Sequence, residues 1–126
     1  MVYSYSYKKN LFGYPFDGDE PGDLARCYFD GAYNQGFFLD ALGYWVQGIG
    51  YGMDGAWANF GDMDDPSEEF HFEGVEFEIG FSDPPNILCV AEATFYRWLR
   101  MACERYVQQH PEDKEKVEEL LAKAPM

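Results

Sequence analysis

The sequence predicts an α+β fold: one domain over residues 1–126, a small, mostly antiparallel sheet packed by helices, and two helices at the C-terminal end. Helix-period stretches come first and last, with strand-period stretches between them and none of the alternation that builds a parallel sheet. At 126 residues the chain reaches the length of one good core and stops short of the length at which cores split. Its 47% hydrophobic and 19% aromatic content is enough to offset the entropy of ordering.

Residues 2–7 alternate in two-residue steps, as a strand with one aromatic face does; a mobile tyrosine-rich terminus has the same text. Residues 10–23 are rich in Gly, Pro and Asp, the chemistry of a loop, and Asp23 is placed to cap a short helix from Leu24. Leu24 and Tyr28, then Phe38, Leu42, Trp45 and Val46, recur at helical spacing, and Gly36 divides them into two helices. Gly48, Gly50, Gly52, Gly55 and Gly61 rule out a helix in the next stretch, where "AWANF" has the make-up of a short strand. No Lys-Ser or Lys-Thr follows these glycines and aspartates surround them, so they mark turns or close backbone packing rather than a phosphate loop.

Phe70, Phe72, Val75, Phe77, Ile79 and Phe81 predict a strand over 70–81, with Gly74 shifting its phase as a bulge would. "SDPPN" is a turn and "ILCV" reads as a short buried strand, so the pair forms an antiparallel hairpin. Residues 91–109 carry one apolar stripe, Phe95, Leu99, Ala102, Cys103 and Tyr106, which predicts a helix laid over the sheet. Pro111, Glu112 and Asp113 suit a first helical turn. After them Val117, Leu120 and Leu121 face inward, with a Glu119–Lys123 pair outward.

The formal charge is −14, and it is unevenly spread. Residues 10–83 contain sixteen Asp or Glu and one base, Arg26, whereas residues 84–126 contain seven acids and six bases. Such self-repulsion is tolerated where the field brings solubility or steers a positive partner. It argues against nucleic acid and anionic membrane as ligands, whose phosphates it repels. Cys27, Cys89 and Cys103 form no CxxC pair and read as free thiols of a reducing compartment. No apolar run resembles a signal peptide or approaches the ~20 residues that span a bilayer, so a cytoplasmic location is expected.

Signatures of chemistry are missing. His71 and His110 lack metal-ligand partners at helical spacing, no serine has a GxSxG setting, and no cysteine has a catalytic one. Asp17, Asp19 and Gly22 match EF-hand positions, but Pro21 and Tyr28 occupy the fifth and twelfth. The chain is therefore expected to have no catalytic residues, metal or cofactor. Carboxylates are so abundant that a pair suited to glycoside hydrolysis carries no weight.

What remains is the acidic surface. Residues 54–78 hold nine acids and no Lys or Arg, interleaved with Trp57, Phe60, Met63 and Phe70. Charge kept only for solubility is better interspersed with bases. Like charge beside aromatics is what an interface uses for a basic partner, the carboxylates steering and the rings anchoring. The expected contact set is Asp54, Trp57, Asp62, Asp64, Asp65, Glu68, Glu69, Glu73, Glu76 and Glu78. A nucleic-acid-cleaving enzyme is one such partner, because its own surface must be basic to hold phosphate.

"FFLDALGYWVQGIGYG" (37–52), "FEGVEFEIG" (72–80) and "MACERYVQQHPEDKEKVEELLAK" (101–123) resemble the immunity proteins of bacterial contact-dependent growth inhibition systems, in the group that neutralises ribonuclease toxins. The resemblance covers roughly residues 28–123. It implies a small cytoplasmic protein without a reaction of its own, which binds the toxic C-terminal nuclease domain delivered by a neighbouring cell and blocks it. It carries over no contact residue. An adaptor protein and a carbohydrate-active enzyme are the alternatives, and an edge strand also has the means to pair two copies.

Overall fold

The computed structural model describes residues 11–12 and 21–125, so the strand expected over 2–7 and most of the loop before residue 21 lie outside the described residues. Helix α1 (Asp23–Asn34) buries Ala25, Tyr28, Phe29 and Ala32 at positions i, i+3, i+4 and i+7. Its cap is Gly22, and Asp23, the expected cap, is instead the first helical residue. Gly36, at φ +81°, ends the helix in a Schellman turn: Phe37 N–H reaches Ala32 O and Gly36 N–H reaches Tyr33 O. Helix α2 (Phe38–Trp45) then buries Phe38, Ala41, Leu42 and Trp45 with the same spacing.

Four strands follow, β1 (Tyr51–Met53), β2 (Ala56–Phe60), β3 (Val75–Ile79) and β4 (Asn86–Val90), in one antiparallel sheet of order β1-β2-β3-β4. Three strand expectations are corrected. The glycine-rich stretch supplies β1 as well as turns. The strand expected over 70–81 is only Val75–Ile79, because Glu68–Phe70 forms a 3-10 turn and Gly74, at φ +90°, turns the chain just before the ladder begins. Gly80, at φ +82°, ends it, which leaves Phe81 77% exposed instead of in phase with Phe77 and Ile79. Finally β4 is an edge strand with Ile87 and Cys89 exposed, not a buried one.

Helix α3 (Glu92–Gln109) buries all five residues of the expected stripe and adds Tyr96 and Trp98. Pro111–Asp113 forms a 3-10 turn into α4 (Lys114–Leu121), which buries Val117 and Leu120 and carries a Lys114–Glu118 ion pair at 3.8 Å. That pair takes the role assigned from sequence to Glu119 and Lys123.

The helices meet the sheet over one aromatic core. Phe77 of β3 lies 5.4 Å from Tyr28, 5.8 Å from Phe95 and 6.3 Å from Trp98. On β2 the inward positions Ala56 and Ala58 are small, which leaves room for the rings of α1. Trp45 ties this core together: its indole N–H donates to Tyr28 Oη at 3.0 Å, and its carbonyl accepts from Tyr96 at 2.9 Å.

Candidate functional site

Because side chains alternate across a strand, the register that buries Val75 and Phe77 turns Glu76 and Glu78 to the opposite face. Two outward rows result: Gly52, Trp57, Glu78 and Ile87, and beside it Asn59, Glu76 and Cys89. Glu76 and Glu78 are thus the solvent side of a strand whose other side is core. The aromatic core joins the helices to the inward face, and among the described residues none of them lies over these outward rows. Gly80 N–H bonds to Gly55 O at 2.7 Å, folding the end of β3 against the β1–β2 turn, and Phe81 thereby sits edge-on to Trp57 at 5.6 Å. The Cys89 thiol lies 3.8 Å from the Glu76 carboxylate, and burial and that charge push its pKa up.

The connection 61–74 is a closed loop whose ends are joined by Gly61 N–H to Gly74 O at 2.9 Å. Asp62 and Asp65 shape it: Asp62 Oδ1 accepts from Asp64 N–H, Asp65 Oδ1 accepts from Ser67 N–H, and His71 bonds the Asp65 carbonyl. Asp62, Asp64, Glu68, Glu69 and Glu73 are exposed there. Asp54 is exposed in the β1–β2 turn at the other end of β2, a five-residue strand of roughly 16 Å at 3.2–3.4 Å per residue. The ten expected residues therefore divide into three on the outer face (Trp57, Glu76, Glu78), six in the connection and one at the far turn.

Sequence reasoning missed Phe81, Ile87, Cys89 and Asn59, which share the outer face or its rim. A run such as "ILCV" gives no sign of which alternate residues will be covered.

Other titratable groups are engaged internally. Asp30 is 4% exposed, accepts from Phe12 N–H at 3.0 Å, and is pushed up to about 6 by burial. It lies under the Leu11–Phe12 strap and not in a cleft; Arg105 bonds the Leu11 carbonyl and covers the Phe12 ring. His110 ends α3 stacked on Tyr106 at 4.8 Å, with Tyr33 Oη 2.6 Å from Nε2 and Glu112 at 3.3 Å from Nδ1. His110, Glu112 and Asp113 offer three ligand atoms within 4.8 Å of one another, but Asp113 already accepts from Tyr106, and the two ring nitrogens of His110 are engaged by Tyr33 and Glu112, forming a closed network at the edge of a depression of about 330 Å³. Burial raises Cys103 to about 12 and also raises Cys27, the reverse of what activates a nucleophile.

Residues 21–121 match the family model described as CDI immunity protein, and the chain belongs to that family. Its fold is also that of an immunity protein from Neisseria meningitidis MC58, with a TM-score of 0.66 at 17% identity, over 79% of this chain and 85% of the other. Comparison with curated proteins found no match. No helix among the described residues is long and apolar enough to cross a membrane.

Proposed function

We propose that this chain is a non-enzymatic inhibitor that binds a cognate, basic C-terminal nuclease toxin domain, a ribonuclease, through its acidic surface in the cytoplasm of the cell it protects. Membership of the CDI immunity family supports a toxin as the partner. The observation that carries the chemistry of that partner is the charge of residues 54–78, nine acids without a base, on a sheet face and a loop open to solvent. An acidic surface of this kind competes for the groove that a nuclease keeps basic for phosphate. The raised thiols and the internally bonded histidines support an inhibitor rather than an enzyme.

Co-purification with the toxin C-terminal domain encoded beside it tests this reading, with binding followed at low and high salt. A stable complex whose formation slows as salt rises is expected. An adaptor protein predicts no complex with the toxin and binding elsewhere with weak salt dependence.

A further inference from the structure

Resting on that reading, we propose that the outer face of the sheet is where the toxin domain seats, with Trp57, Phe81 and Ile87 as its apolar anchors and Glu76 and Glu78, on the strand between Trp57 and Ile87, as the charges enclosed on contact. An antiparallel sheet with one wet face ordinarily carries polar residues there. Here an acid stands between two large apolar groups in one row, Trp57, Glu78 and Ile87, while Ile87 is 45% and Phe81 77% exposed. Aromatic and aliphatic groups flanking a pair of acids on one open face offer a partner both apolar anchors and charges to pair.

The charge selects the occupant. Nucleic acid and lipid phosphate are repelled by Glu76 and Glu78. A second copy seated on it would bring the same acidic rows, which contain no Lys or Arg to pair with Glu76 and Glu78. A basic protein instead presents guanidinium or ammonium groups that pair with Glu76 and Glu78 and lie over the Trp57 ring. The loop acids Asp64, Glu68, Glu69 and Glu73 lie beyond the end of the face, so they act on the approach of the toxin, whereas the face acts on how long it stays.

The native thiols report on this directly. Cys89 is exposed on the outer face and Cys27 is exposed on α1, on the opposite side of the sheet. In the preformed complex, iodoacetamide labelling followed by mass spectrometry is expected to slow at least ~10-fold at Cys89 and to continue unchanged at Cys27. Trp57→Ala and Ile87→Ala are each expected to raise the dissociation rate at least ~10-fold with little change in association. Cys89 labelled in the complex as fast as in the free chain overturns this placement while the immunity reading stands. Failure of the toxin to bind the unaltered chain removes both.

Discussion

The Tyr28 hydroxyl donates to the Tyr51 carbonyl at 2.6 Å and accepts from the Trp45 indole, so one atom joins α1, α2 and β1 inside the core. Tyr28→Phe strands both partners, and the expected cost is ~1–3 kcal/mol in a urea unfolding curve. Sequence spacing assigned Tyr28 to an apolar face and was right about burial, but spacing says nothing of what a hydroxyl meets. Asp30 was less legible still. It counts among the sixteen acids of the charged part, yet it is inside the fold, with Oδ2 finding no hydrogen-bond partner among the described residues. Its folded pKa, about 6, lies above the ordinary 3.8, so between these values the folded chain holds a proton that the unfolded chain has released. Stability is therefore lost as pH rises through that window. From pH 5 to pH 7 the natural chain should lose about 1 kcal/mol more than Asp30→Asn, at 1.36 kcal/mol per pKa unit. Equal losses in the two chains contradict the assignment.

At the scale of elements, the stripes of α1, α2 and α3 were readable because one buried face repeats every three to four residues. The strands were harder. The apolar run through 70–81 continues past both ends of β3, and what cuts it is backbone geometry at Gly74 and Gly80. A Cβ at Gly74 would run into the Val90 carbonyl at the start of the β3–β4 ladder. Gly74→Ala should thus cost ~2 kcal/mol or more. Gly43, inside α2 with open space around it, gives the opposite sign: Gly43→Ala should stabilise by ~0.5–1 kcal/mol. Thermal unfolding of the two variants checks both. Of the candidate site, Glu76 and Glu78 were legible as the polar phase of a strand, and Trp57 as a ring set among the acids. Phe81 and Ile87 were not, because their exposure depends on where the sheet ends and which strand forms its edge.

At the scale of the molecule, the helical side carries Arg97, Arg100, Arg105 and the lysines of α4, while among the described residues the β2–β3 connection and outer sheet face carry Asp and Glu without Lys or Arg. This polarity is a property of the fold and of the sequence together, since the acids cluster in the chain and the sheet then sets them apart from the bases. Asp64→Lys with Glu69→Lys should slow association with the toxin domain several-fold at low salt and less at high salt, while Glu118→Lys on α4 should leave it unchanged. Equal slowing by both variants contradicts a localised field. The most direct measurement is RNA cleavage by the toxin domain titrated with this protein. Loss of cleavage that is complete at one equivalent is the predicted result, and full cleavage by a toxin saturated with the protein would contradict the account.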